Sequence, residues 1–275
     1  MTKLAKKETT AVALPVENRS WGSENIDASD IVIPKLLLMQ GQSKFVAAGK
    51  ARAGDIVKST TGEVVGGAQK GVKVIAFMTF KEWVVSEKNG GRFEFRFKES
   101  VTPSNINDSW EFTKDGNDWR RDLCINFYAL LPSDIERLQT AMAKLDKTGE
   151  LPDPADALLP VVLSFRRTSY RAGKDLISHF AKAASFHLPP AVSTFELGSV
   201  AETKDKDIFQ VFKITPAGKT PAESISLCHT WYNTIKGNGV KVDDSDLQED
   251  TPKQTKATAK PLTKEVDLDL NELPF

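Results

Sequence analysis

The segment SFRRTSYRAGK, residues 164–174, sets four cations, Arg166, Arg167, Arg171 and Lys174, around the rings of Phe165 and Tyr170. Guanidinium groups pair with phosphate and also stack on flat rings, so this mixture suits a polyanion that carries bases. Gly173 is expected to bring the chain sharply onto a helix N-terminus, whose unsatisfied N–H groups favour an anion. This is the densest basic and aromatic cluster of the chain and the first candidate for a nucleic-acid contact.

Two further segments have the same chemistry. In RFEFRFKE, residues 92–99, a strand places Phe93, Phe95 and Phe97 on one face and Arg92, Arg96 and Lys98 on the other. The cations would then follow a phosphate backbone, or the rings would stack on bases, an interaction worth about 1–3 kcal/mol per base and tolerant of sequence. In residues 109–121, Trp110, Phe112 and Trp119 crowd a polar turn and Arg120 and Arg121 follow directly. Tryptophans beside a hairpin tip are candidates for ligand contact.

Enzyme chemistry finds little footing. PAGKT, residues 216–220, resembles the end of a phosphate-binding loop, but the required first glycine would stand where Lys213 is. His179, His187 and His229 lack metal-ligand spacing with one another or with Cys124 and Cys228. There is no G-x-S-x-G segment and no paired carboxylate motif. No catalytic residue, metal or cofactor is expected.

The elements that must position these residues are mainly strands. GDIVKSTTGEVVGG (54–67) reads as two short strands around Thr61-Gly62, and GVKVIAFMTFKEWVVSE (71–87) as one bent strand or two. Residues 90–100 alternate, and Asp115-Gly116 marks a hairpin within 109–131. Residues 133–148 read as a helix with Ser133 as N-cap and Gly149 as its stop. VVLSFRRTSYR (161–171) reads as a strand, 174–186 as a helix and 207–214 as a strand. Residues 221–236 read as a helix with Ile225, Cys228, Tyr232 and Ile235 on one stripe. The fold class expected is mainly β with helices (α+β), and an elaborated OB-type Greek-key barrel with a disordered C-terminal tail accommodates it.

The charge is unevenly divided. Before Lys241 there are 32 basic and 28 acidic residues, a balance of +4; from Lys241 onward there are five lysines and nine acids, a balance of −4. A basic body with an acidic arm points to nucleic acid or to a tail with its own task. The division expected is a flexible arm at 1–29, a folded body at 30–240, a flexible linker at 241–264 and an acidic interaction tip at 265–275. The linker is poor in large apolar residues and cannot offset its ordering entropy. The tip, DLDLNELPF, instead keeps Leu268, Leu270, Leu273 and Phe275 among Asp267, Asp269 and Glu272. Such a tip behaves as a short linear motif, with its carboxylates for a basic rim and its terminal ring for an apolar pocket.

This ending resembles the C-terminal tip of single-stranded DNA-binding proteins, bacterial members of which end in an acidic run and a Pro-Phe pair; NELPF keeps Pro274-Phe275. Here leucines separate the acids. The resemblance covers about nine residues closely, and the body is similar only in outline to a bacteriophage OB-type protein. It implies an OB-fold that coats single-stranded DNA without sequence preference. It further implies a tip, Asp267, Asp269, Glu272, Leu273, Pro274 and Phe275, that recruits replication or recombination proteins such as a polymerase, helicase or primase and competes for the DNA groove. Rival readings are a strand-annealing recombination protein, a transcription or replication adaptor with little DNA binding, and a nuclease. Two distant cysteines, no apolar leader and no apolar run near ~20 residues lead to the expectation of a cytoplasmic protein (host cytoplasm for a phage product) without a membrane partner. Homo-oligomerisation stays open.

Overall fold

Two long runs of apolar and polar alternation, 72–87 and 117–130, form the axis of the fold. A computed structural model describes residues 31–87, 93–98, 111–114, 116–150, 152–153, 157–204, 207–237 and 241–242. The architecture is mixed α+β, with a large sheet and four α-helices among the described residues.

The strands, in chain order, are β1 (Val32–Ile33), β2 (Lys35–Leu38), β3 (Ile56–Lys58), β4 (Val64–Gly66), β5 (Val72–Glu87), β6 (Phe93–Lys98), β7 (Glu111–Lys114), β8 (Asn117–Leu130), β9 (Val161–Phe165), β10 (Ser193–Lys204), β11 (Asp207–Lys219) and β12 (Lys241–Val242). The helices are α1 (Lys44–Ala47), α2 (Pro132–Thr148), α3 (Tyr170–Ser185) and α4 (Ala222–Gly237). Ten of the strands make one sheet in the order β11-β10-β5-β8-β9-β2-β3-β4, with β6 on β5 and β7 on β8. The remaining two, β1 and β12, pair in parallel.

β5 and β8 are each used twice. Their inner halves pair with each other and with β10 and β9, and their outer halves carry β6 and β7. The outer part is a four-stranded arm. A register shift between Ala76 and Met78 bends β5 where inner half becomes outer half, so 71–87 is one strand with a bulge.

The inner sheet curls until its two ends share one core. Leu36 and Ile56 from one end meet Phe195, Leu197 and Phe212 from the other, with Ile125, Phe127 and Leu163 between them. The ends touch through side chains. The Gln40 amide donates to the Gln210 carbonyl (3.0 Å) and accepts from the Gln210 N–H (2.8 Å), and Ser199 Oγ donates to the Gly54 carbonyl. Gln40 thereby supplies the two hydrogen bonds that a neighbouring strand would give.

Helix α3 closes this core by inserting Leu176 and Phe180. The Phe180 ring meets Phe127 edge-on at 5.3 Å. A Cβ on Gly173 would lie 2.8 Å from Phe165 Cβ, so glycine lets the helix lie directly on β9. A second core lies on the other face of the sheet, where Phe77, Tyr128 and Leu130 pack under Ile135 of α2 and Cys228 and Ile235 of α4.

Several expectations change. Helix α2 begins at Pro132 with Leu131 as N-cap, because Pro suits the first helical position; Ser133 is not the cap. Gly149 does stop that helix, in the left-handed region at φ 71°. The strand at 161 ends at Phe165, and Gly173 lies inside α3 instead of preceding it. The strand β10 was not expected.

Candidate functional site

At the end of β9 the backbone leaves the sheet. Arg166 is extended, Arg167 takes a left-handed conformation (φ 51°), a three-residue 3-10 turn follows, and α3 starts at Tyr170. A left-handed non-glycine residue is held there by its surroundings. Arg167 Nε donates to Asp122 Oδ2 at 2.6 Å, and its Nη2 lies 3.4 Å from Ser86 Oγ. Asp122 on β8 and Ser86 on β5 are both buried in the arm. The first turn of α3 is thereby tied to the arm across 45 residues of sequence.

Tyr170 and Lys174 stand one helical turn apart, and the Lys174 ammonium sits 5.0 Å from the centre of the Tyr170 ring. Arg171 and Lys174 are exposed, while Arg166 and Tyr170 are half-buried. The first turn of α3 has no acidic residue and no side-chain cap. The 3-10 turn already binds the Ser169 and Tyr170 N–H groups to the Arg166 and Arg167 carbonyls, so what the helix start offers an anion is its dipole and two exposed cations.

The arm brings the other candidates near this point. Arg120 and Arg121 lie on β8 in register with Ser86 and Val85 of β5. Arg96 on β6 is in register with Val84, which is itself in register with Asp122; Lys98 is in register with Glu82. The row that holds the Asp122 partner of Arg167 thus also holds Arg96. Arg120 is half-buried, and its Nε has no hydrogen-bond partner among the described residues. Arg121 is buried, 5.2 Å from the Trp83 ring centre, and Trp119 is buried at 3% exposure, so both pack the arm. Arg92, Trp110 and the tip, Asp267 to Phe275, lie outside the described residues.

The structure therefore draws the two segments read from the sequence, 164–174 and the strands after Arg92, toward one place. Sequence reasoning missed the carboxylate that joins them. Asp122 follows two arginines in an alternating strand, RRDLCINF, and an acid entering an apolar strand is a signal for a buried partner.

Outside this region a groove of about 910 Å³ runs between α4, the inner half of β5 and the Pro189-Pro190 turn. Its floor includes Phe77, Phe180 and Cys228. Burial raises the Cys228 thiol to about 12. Burial, then the neighbouring Glu82 charge, raises the Tyr128 hydroxyl to about 12. Among the described residues no cluster of three or more His, Cys, Asp or Glu is arranged to hold a metal, and no helix is long and apolar enough to cross a membrane.

Residues 5–121, less than half of the chain, match a protein family described as Pam3 phage gp34-like protein. No curated protein and no solved structure matches the chain. The first part of the chain, through the arm and into the start of β8, is thus similar to a phage protein family.

Proposed function

We propose that the protein binds single-stranded DNA without sequence preference, as an elaborated OB-fold, and that its acidic tip recruits replication or recombination proteins. The strand path supports the fold reading. Taking β5, β8, β9, β10 and β11 as first to fifth strands, the first pairs with the second and the fourth, the third with the second, and the fourth with the fifth. Helix α3 falls between the third and fourth and closes the core. The parallel strand β2 fills the place between third and fifth. These pairings agree with the Greek key of an OB barrel except that the third and fifth strands do not pair with each other, and ligands of that fold lie on the second and third strands and on the loop between the first and second. Here that loop is the arm. The outside of the inner half of β8 is covered by α2 and α4, so the arm and the start of α3 are the parts left for a ligand.

One observation carries the reading: the Arg167–Asp122 bond ties the turn before the exposed Arg171 and Lys174 and the half-buried Tyr170 to the arm strands that carry Arg96 and Arg120. Phosphates would follow Arg171, Lys174, Arg166 and the arm cations, and a base would lie against Tyr170. The similarity to a phage family agrees with a role in handling phage DNA. Titration of intrinsic tryptophan fluorescence with oligo-dT at two salt concentrations tests it. Binding is expected to change the signal and to weaken steeply with salt. No binding at low salt, by the full chain or by a chain ending at Val242, overturns the proposal.

A further inference from the structure

We propose that the groove between α4 and the end of α3 is the resting site of the chain's own acidic tip, so that partner recruitment requires its release. The inference rests on reading 265–275 as a protein-binding tip, and not on DNA binding.

The groove is a prepared apolar surface. Phe77, Phe180, Pro190, Ile225, Cys228 and Tyr232 line it, and no carboxylate does. Beyond its Pro189 edge the chain exposes Phe186 and Leu188, at 74% and 49%. They stand on the turn leading into Pro189, which holds His187 at φ 56°. Apolar exposure of this kind marks an interaction site.

The occupant follows from where the described chain ends. Val242, in β12, packs against the same cluster that contributes Phe77 and Cys228 to the groove floor. The described chain therefore ends in the same core cluster as the groove floor. About 25 residues separate Val242 from Leu268, and a coil of that length has a root-mean-square span of about 25–30 Å. The part of α4 that lines the groove, Ile225 to Tyr232, is about 10 Å long, well within that span. Tethering at that span gives an effective concentration in the millimolar range, enough for a weak motif to be held.

The chemistry matches as well. In extended backbone Leu273 and Phe275 would share one side and Leu268 and Leu270 the opposite one, so Leu273 and Phe275 are the pair offered to the apolar trough. The lining carries His229, and Lys236 in the last turn of α4 sits 5.5 Å from the centre of the Tyr232 ring. That ammonium marks an end of the groove where a side-chain acid of the tip, Glu272, would be received.

Disulfide trapping in the full chain tests the site without DNA. Cys124 and Cys228 are buried and stay out of mild oxidation. Asn271→Cys is combined with Thr230→Cys on the groove wall, or with Thr61→Cys in the exposed β3–β4 turn as the reference. Intramolecular closure of 230–271 is expected about tenfold faster than 61–271 at the concentrations tethering provides. Adding Leu273→Ala and Phe275→Ala should bring it down to the reference rate. Equal rates for the two pairs, or a disulfide-linked dimer as the main product, overturn the proposal. Since the readout contains no oligonucleotide, that failure leaves the DNA reading where it stands, and failure to bind oligo-dT leaves this one.

Discussion

Arg167 Nε donates to Asp122 Oδ2 at 2.6 Å, joining a left-handed residue before α3 to a carboxylate buried in β8. The bond occupies the partly exposed Arg167 cation with a buried carboxylate. Its role is to position its neighbours, whereas Arg171 and Lys174 remain exposed.

Arg167→Ala is therefore expected to lower stability by about 2–3 kcal/mol, less than a fully buried pair because Arg167 is partly exposed. Arg167→Gly should lose about 1 kcal/mol less, since glycine accepts the positive φ. Urea melts of the two variants check the order. DNA affinity of either should fall with its salt slope unchanged, the signature of lost orientation and not of a lost phosphate contact.

Arg171→Ala with Lys174→Ala acts on the other quantity. Each lost phosphate contact should reduce the slope of log affinity against log salt by about 0.7 on single strands. Titrations between roughly 50 and 200 mM salt measure it. Melting should be nearly unchanged, because both side chains are at the surface.

Gly173→Ala tests the seating of α3. The added methyl meets Phe165 Cβ at 2.8 Å and Ile125 Cβ at 3.3 Å, atoms that cannot swing aside. A loss of about 1–3 kcal/mol is expected, larger than the gain from alanine's helix preference of about 1 kcal/mol. Thermal denaturation followed by circular dichroism gives the sign.

Alkaline pH should unfold the protein through its neutral buried groups. Tyr128 is raised from 10.0 to about 12 and Cys228 from 9.0 to about 12. A raised folded value favours the protonated, uncharged form in the native state. That contribution is whole below pH 9, where both groups are protonated folded or unfolded, and is lost as pH climbs from 9 to about 12. The urea midpoint should be flat from about pH 7 to about pH 9 and then fall, and Tyr128→Phe should make the fall shallower.

Much of the frame was legible where a local rule and the tertiary need agreed. Asp115-Gly116 marked the β7–β8 turn, and Gly116 has the positive φ (78°) that such a turn needs. The stripe Ile225, Cys228, Tyr232 and Ile235 marked the face of α4 that meets the second core and the groove. Strand β10 escaped because its buried signal is short. Phe195 and Leu197 alternate with Glu196, but Gly198 and Ser199 follow, and only pairing with both β5 and β11 makes the strand. The start of α3 was misplaced because the β-forming run of 161–165 flows into arginines without a breaker. The chain turns there through a bond to Asp122, 45 residues distant, which no local pattern contains. The cations of the candidate site were visible; which of them were already occupied was not.

The two bonds of the Gln40 amide to Gln210 fasten the curled sheet like a button on a sleeve. A button is undone in one motion. The seam between the β2 end and β11 can therefore open locally while β10 stays paired to β5 and Phe195 and Phe212 stay in the core. Gln40→Ala removes both bonds, and the Gln210 amide should then exchange with deuterium ahead of its neighbours in native-state measurements.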